Sequence, residues 1–326
     1  MRIAIIGTGI SGLVAASRLH REHDLHVFEA KDYVGGHTNT VSVEWQGERH
    51  DIDTGFIVFN ERTYPNFCRL LDELDVLSDA TSMSFSVRCD LSGLEYTGKS
   101  LNGLFAQRSN LLRPWFYRMI RDILRFNRDA PRLLDGTDEQ LTVGEYLKRS
   151  RFSRALADQY LLPMGAAIWS CPATTFEQFP MRFIAEFYLN HGLFSVRNRP
   201  TWRVIRGGSH RYVEKLMAGF RDRIRLSTAI ESVRRHEDSV TVQPAGREAE
   251  AFDEVIFACH GDQALSILGE DANATERELL SVFPTDQTLL FCTRMNPCFR
   301  VVGWRGPAGI TTSRRRQRTM RPLPTT

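Results

Sequence analysis

The apolar run Ile3-Ala4-Ile5-Ile6 leads directly into Gly7-Thr8-Gly9-Ile10-Ser11-Gly12-Leu13. Such a run reaching three spaced glycines reads as a buried parallel strand that turns tightly into a helix. The three glycines differ in what they allow. Gly7 permits the turn, Gly9 lets backbone approach a pyrophosphate, and Gly12 lets the helix lie close to the strand. The helix mouth, at Ile10 and Ser11, then offers free N–H groups and a partial positive charge to phosphate oxygens. The pattern asks for a dinucleotide.

The neighbouring residues agree. Leu25-His26-Val27-Phe28-Glu29 reads as a second strand, with Glu29 twenty residues beyond Gly9. An acid there accepts hydrogen bonds from an adenosine ribose and argues against a 2′-phosphate, which would want arginine. A glycine turn that binds nothing is the bland alternative; strand, spacing, helix and terminal acid together outweigh it.

Lys31-Asp32-Tyr33-Val34-Gly35-Gly36-His37-Thr38, after Glu29-Ala30, and Asp51-Ile52-Asp53-Thr54-Gly55-Phe56 resemble the extended FAD motif of the flavin amine oxidase and phytoene desaturase superfamily. In that superfamily the double glycine is usually trailed by an arginine, and His37 stands at that position here. A neutral imidazole still donates one hydrogen bond, and its charge depends on pH. Asp53-Thr54-Gly55 resembles the turn at which the chain passes the flavin; a hairpin punctuated by Gly47 and Gly55 is the alternative. Further on, Arg203 to Gly208, a helical stretch and the strands ending at Ala258-Cys259-His260 resemble the returning half of the same FAD domain. The resemblance makes Val233 the adenine-facing valine and Ala258 the strand end beside the cofactor.

It extends over residues 1–300 or so, and also rests on Tyr64-Pro65-Asn66-Phe67, Met83 to Val87, Leu162 to Ser170 and Asn190 to Leu193. Those stretches are similar to a bacterial group of NAD/FAD-binding, flavin-containing amine oxidoreductases. The implied fold is α/β: a Rossmann-like FAD-binding domain of the GR2 type, with an inserted α+β substrate domain. Residues 1–60 and 203–285 would form the FAD domain, 61–202 the mostly helical insert, and 286–302 an incomplete return strand of the substrate domain. The implied cofactor is FAD, bound through Gly7, Gly9, Ile10, Ser11, Gly12, Glu29, Ala30, Gly35, Gly36, His37, Thr38, Thr54, Gly55, Phe56, Val233 and Ala258. No residue is singled out as catalytic and no metal is implied. The expected reaction takes hydride from a substrate C–H, in an amine or an apolar acyl or isoprenoid-like chain, to flavin N5. Many amine oxidases of the superfamily place a lysine late in the chain; none follows Lys215 here, which shifts weight toward the apolar chain. An NAD-dependent dehydrogenase and a catalytically incompetent truncated homologue are the alternatives.

Composition sets outer limits. At 326 residues two domains are the prior. Hydrophobic content of 42% and charged content of 25% are those of an ordinary globular protein, and a net charge of +3 gives no field for specific nucleic-acid binding. Six cysteines without metal-ligand spacing read as free thiols in a reducing cytoplasm. No stretch approaches the roughly eighteen apolar residues of a membrane span.

Between the FAD blocks, helical patterns are expected over Tyr64–Leu74, Leu111–Leu134, Val143–Tyr160 and Phe176–Asn190. In 108–132, seven arginines alternate with Leu, Ile, Trp and Phe. Two readings stand: a solvated arginine face packed on its apolar side, or peripheral contact with the anionic inner membrane. Trp169, Trp202, Phe85, Phe183, Phe187, Tyr188 and Phe194 are candidates for an apolar substrate tunnel or plain core. His191 is a candidate acid or base, although a lone histidine is more often structural. Residues 303–326 are basic and lack an apolar period, so disorder is expected. That tail reads either as a basic arm or as the product of a frame slip near Arg300 to Trp304. The slip would remove the superfamily's terminal glycine-rich motif and weaken FAD retention.

Overall fold

Ile3 and Ile5 point to one side of the first strand, β1 (Arg2–Ile6), and Ala4 and Ile6 to the other; all four are buried. A strand apolar on both faces belongs in the middle of a covered parallel sheet. In the computed structural model β1 pairs in parallel with β2 (Asp24–Phe28) on one side and with Glu254–Phe257 on the other. Ile224–Arg225 extends the sheet beyond β2, again in parallel. The structure describes residues 1–83, 85–89, 92–98, 100–136, 138–195, 199–282 and 285, and the backbone of 310–312. The chain divides into two compact units: Met1–Phe59 with Tyr64–Ala80 and Arg203–Thr293, and Asn60–Thr63 with Thr81–Trp202 and Arg294–Thr326.

In the first unit, helix α1 (Ile10–Leu19) and the helix His210–Leu216 cover the Ile3/Ile5 face, with Leu13, Val213, Leu216 and Phe220 in the core. The Ala4/Ile6 face carries Phe28, Val233, Val242 and Phe252, the last three from an antiparallel sheet spanning residues 230–252. This is a Rossmann-like α/β layer structure. Strands β3 (Thr40–Trp45) and β4 (Glu48–Asp53) form a hairpin whose turn, Gln46-Gly47, has φ of 53° and 81°. Two left-handed residues match a twisted two-residue loop.

One expected boundary moves. Residues 64–80 were expected in the insert, yet they cluster with the first unit. The helix α2 (Pro65–Glu73) buries Leu70 and Leu71 in the same core as Leu13 and Tyr212, and Phe67 packs against it.

The second unit is mostly helical. Phe126, Leu156, Leu162, Phe176, Ile184 and Tyr188 are among its core residues. Expected long helices are interrupted where the backbone demands it. The 111–134 stretch divides at Pro114 and Pro131 into 3₁₀, α and 3₁₀ segments, since proline favours a helix start over an interior. The 143–160 stretch stops at Arg149, and Arg151 then takes φ of 51°. Pro180 separates Ala173–Phe176 from Met181–Asn190. Phe85–Cys89 pairs antiparallel with Leu94–Thr97. Ile310–Thr312 run parallel to Phe85–Val87, so these three residues depart from the disorder expected of 303–326, using the open edge of that strand. The expected strand 286–302, Ser84, Cys292, Cys298 and the rest of the tail lie outside the described residues.

Candidate dinucleotide site

Three chain segments converge where β1 turns into α1. Gly7 N donates to Phe28 O at 2.8 Å and Ala258 N to Ile6 O at 2.8 Å, carrying the ladder to the turn itself. Gly7 has φ of 108°, and a Cβ there would lie 2.6 Å from Ala258 O. On Gly12 a Cβ would stand 2.0 Å from Gly7 O. These two glycines are demanded by the fold.

Gly9 is different. Its φ of −63° and ψ of 176° suit any residue, and a Cβ there meets nothing within 4 Å. No protein atom stands where a side chain at this position would begin. Beside it α1 begins without a side-chain cap, leaving the first-turn N–H groups of Ile10 and Ser11 without intrahelical acceptors. Gly36 closes the cradle: its Cβ would approach Gly9 Cα to 2.9 Å, and Gly35 N donates to Thr8 O at 3.0 Å.

Glu29 follows β2 directly, with 9% of its surface exposed. Its carboxylate accepts from Thr8 N at 2.9 Å, from the Thr8 hydroxyl, and from Lys31 N at 2.9 Å. The acid is thereby fixed at the helix mouth with about one acceptor site to spare, on Oε1, since two carboxylate oxygens accept about four bonds. Ala30 follows it, exposed. Thr8, wholly buried between two glycines, is the residue sequence reasoning missed. Its signal was its place inside the glycine pattern.

The Asp53-Thr54-Gly55 turn is pinned from several sides. Asp53 accepts from Ser209 N at 2.8 Å, Ser209 Oγ at 2.9 Å and Thr40 Oγ1 at 2.6 Å. Thr54 Oγ1 donates to Asn39 O at 3.0 Å, and Phe56 N donates to His37 O at 3.1 Å. A Cβ on Gly55 would sit 1.9 Å from that same carbonyl. Thr38 is buried with its hydroxyl against the Tyr212 hydroxyl. The exposed His37 ring stacks on His260, centroids 5.3 Å apart and planes 16° from parallel. Burial pushes the Cys259 thiol up, so it carries no ready nucleophile.

Val233 lies elsewhere: its side chain, 1% exposed, belongs to the core with Phe28 and Val242. Only its backbone is left to meet an adenine. A cavity of about 340 Å³, lined in part by Tyr33, Val34, His210 and Arg221, takes only Thr38 from the expected set. In the second unit His191 is fixed structurally, its Nδ1 2.9 Å from Phe187 O and its ring stacked on Phe187 at 3.9 Å. Trp169 packs on Phe176 and Phe187, and Tyr188 is core. Among the described residues no group of three or more His, Cys, Asp or Glu could hold a metal, and no helix is long and apolar enough to cross a membrane.

A glycine cradle at an uncapped helix mouth, with a buried acid just after the next strand, is the arrangement of a Rossmann-like fold. The model of the flavin containing amine oxidoreductase family matches residues 10–280, and the chain belongs to that family. The fold is similar to that of a putrescine oxidase solved with putrescine, at TM-score 0.65 and 18% identity, covering 86% of this chain and 63% of that one. It is also similar to the cyclohexylamine oxidase of Brevibacterium oxydans, at TM-score 0.66 and 18% identity, covering 86% and 62%. A third likeness is to a fatty acid isomerase of P. acnes that produces CLA, at TM-score 0.57 and 18% identity, covering 86% and 63%. This chain thus spans under two thirds of the length of these solved proteins.

Proposed function

We propose that the first unit binds FAD and that the protein is an oxidoreductase acting on a substrate C–H bond. The flavin, when bound, supplies the hydride acceptor. The protein's own residues supply placement. The cradle of Gly9 and Gly36 admits the diphosphate, and the N–H groups of Ile10 and Ser11 neutralise it. Glu29, steadied by Thr8 and Lys31, accepts from a ribose hydroxyl at the free site of Oε1. Asp53 keeps the Thr54-Gly55 turn against His37, where the rest of the cofactor would pass.

The carrying observation is Gly9, a glycine in an ordinary extended conformation with open space where a Cβ would stand. The substrate is read as an amine or an apolar chain; the family supports the first, and the likeness to a fatty acid isomerase the second.

The test is a Gly9→Val substitution, with FAD, FMN and NAD titrated into wild type and variant. The melting temperature should fall only slightly, by the loss of an N-cap glycine worth about 1 kcal/mol, while FAD affinity falls roughly a hundredfold, the scale of overfilling a packed space. A variant that binds FAD like wild type would remove the ligand from the cradle. Anaerobic mixing of the loaded protein with amines or with unsaturated fatty acids, following flavin bleaching, then separates the substrate classes.

A further inference from the structure

The second unit carries an exposed apolar surface set among arginines, and nothing in the dinucleotide reading uses it. Leu101 and Leu112 are 79% and 87% exposed, and Leu111, Trp115 and Tyr117 are exposed beside them. Local contacts knit them into one surface. Arg108 Nη2 donates to Asn102 Oδ1 at 2.8 Å, and Tyr117 hydroxyl to Leu111 O at 3.0 Å. The Phe105 ring lies 5.8 Å from that of Tyr117. The underside is firmly held: Phe116 and Met119 are fully buried with Leu94 and Tyr96. The apolar exposure is therefore a feature of a packed surface, and contiguous exposed apolar groups mark interaction sites.

Charge identifies the partner. From residue 96 to 121 the sequence has no Asp or Glu, while Arg108, Arg113, Arg118 and Arg121 all fall there. The flanking acids are occupied: Glu95 pairs with Arg88 at 3.4 Å, and buried Asp122 accepts from Ser153 N at 3.0 Å. Further along, the arginines satisfy protein groups. Arg125 donates to Ser150 O at 2.9 Å, and Arg128 to Asp129 at 2.8 Å. Arg118 and Arg121 are exposed and have no hydrogen bond or ion pair among the described residues. The helix Pro114–Asp129 thus has a self-satisfied second half and a first half with cations to give.

We infer that Leu101–Arg121 is a docking surface for an anionic phospholipid bilayer. Leu101, Leu111, Leu112 and Trp115 enter the interface while Arg118 and Arg121 meet headgroup phosphates. Interfacial binding grows with the apolar area buried, here from side chains before and at the start of the helix, and with attraction to anionic lipid, to which each arginine near the surface adds. A second copy of this chain is disfavoured as the occupant, because it would bring an equally basic face.

Sedimentation with vesicles decides the matter. The full chain is mixed with vesicles of phosphatidylcholine alone or of phosphatidylcholine with phosphatidylglycerol. Binding should require phosphatidylglycerol and weaken at least about tenfold when salt rises from roughly 0.1 to 0.5 M. The pair Arg118→Glu and Arg121→Glu, and separately Leu112→Asp, should each lower the partition about tenfold or more. All three positions are exposed, so melting temperatures should match wild type. Absence of binding to the anionic vesicles, equal binding to neutral ones, or variants that bind like wild type would overturn the inference. So would vesicle-independent self-association in sedimentation velocity that Leu112→Asp abolishes, which would make the surface an interface between copies.

Discussion

Gly12 in the first unit and Gly165 in the second stand in equally tight places for different reasons. A Cβ on Gly12 would meet Gly7 O at 2.0 Å, backbone against backbone. A Cβ on Gly165 would meet Phe176 Cζ at 2.1 Å, backbone against a ring. That ring is fully buried and lies 5.5 Å from both Trp169 and Phe179, so it has nowhere to swing. The first unit builds its strand–helix turn from main-chain atoms in close approach, which only glycine can leave uncovered. The second is built by interlocking side chains, whose shapes can be traded.

The contrast is sharpest under substitution. Gly12→Ala should cost about 3 kcal/mol or more, since two main-chain segments must separate. No second-site change in a side chain should restore it. Gly165→Ala should cost about 1–3 kcal/mol, and Phe176→Leu in the same chain should recover part of that by vacating volume. Urea denaturation of the two single variants and the double variant measures both. Rescue of Gly12→Ala by a side-chain change, or none of Gly165→Ala by Phe176→Leu, would erase the distinction.

The same difference explains what could be read from residues alone. The turn around Gly7, Gly9 and Gly12, the acid at Glu29 and the Gly35-Gly36 approach are legible because each is a local, chemically narrow requirement. Thr8 escaped notice because its role depends on a carboxylate 21 residues away. Val233 could be ordered along the chain, but its burial against Phe28 is a tertiary fact. In the second unit helical periodicity was visible, yet its breaks depend on single residues such as Arg151 and Pro180. Its aromatics could not be sorted into tunnel or core, because any aromatic at such spacing suits either. The placement of 64–80 failed for a like reason: Phe67 and Leu70 are apolar wherever they pack.

One group in each unit, Tyr160 and Glu250, titrates toward an opposite end of the pH scale. In the second unit burial pushes the Tyr160 hydroxyl up to about 12. A proton held more tightly in the folded state gives stability that is complete below pH ~10 and lost as pH rises through ~12, on the order of 3 kcal/mol. Tyr160→Phe should remove its share of the alkaline loss, leaving that of buried Tyr96 and Tyr188, which burial also pushes up. In the first unit burial raises Glu250, but Arg225 and Arg2 outweigh it and hold the carboxyl below its usual range. Its contribution is complete above pH ~4.5 and lost as pH falls further. Glu250→Gln should therefore flatten the acid limb and leave the alkaline one alone. Melting temperatures across the pH range report both; an alkaline limb unchanged by Tyr160→Phe would assign that loss elsewhere.

Removing one oxygen from each unit should have opposite signs. The Tyr188 hydroxyl is buried in the second unit and has no partner among the described residues. Its ring is 1% exposed and packs against Phe126 and Phe194. Burying an unmet hydroxyl costs about 1–3 kcal/mol, and the ring contributes its packing without it. Tyr188→Phe should thus raise stability by about 1 kcal/mol, or roughly 2–4 °C in melting temperature. The Tyr212 hydroxyl of the first unit instead faces that of buried Thr38. Tyr212→Phe strands the threonine and should lower stability by about 1 kcal/mol. Calorimetry on the two variants gives the signs directly. A destabilised Tyr188→Phe would mean that its hydroxyl is met after all, by an ordered water or by a group entering the helical unit. Side-chain polarity would then matter to that unit as much as shape.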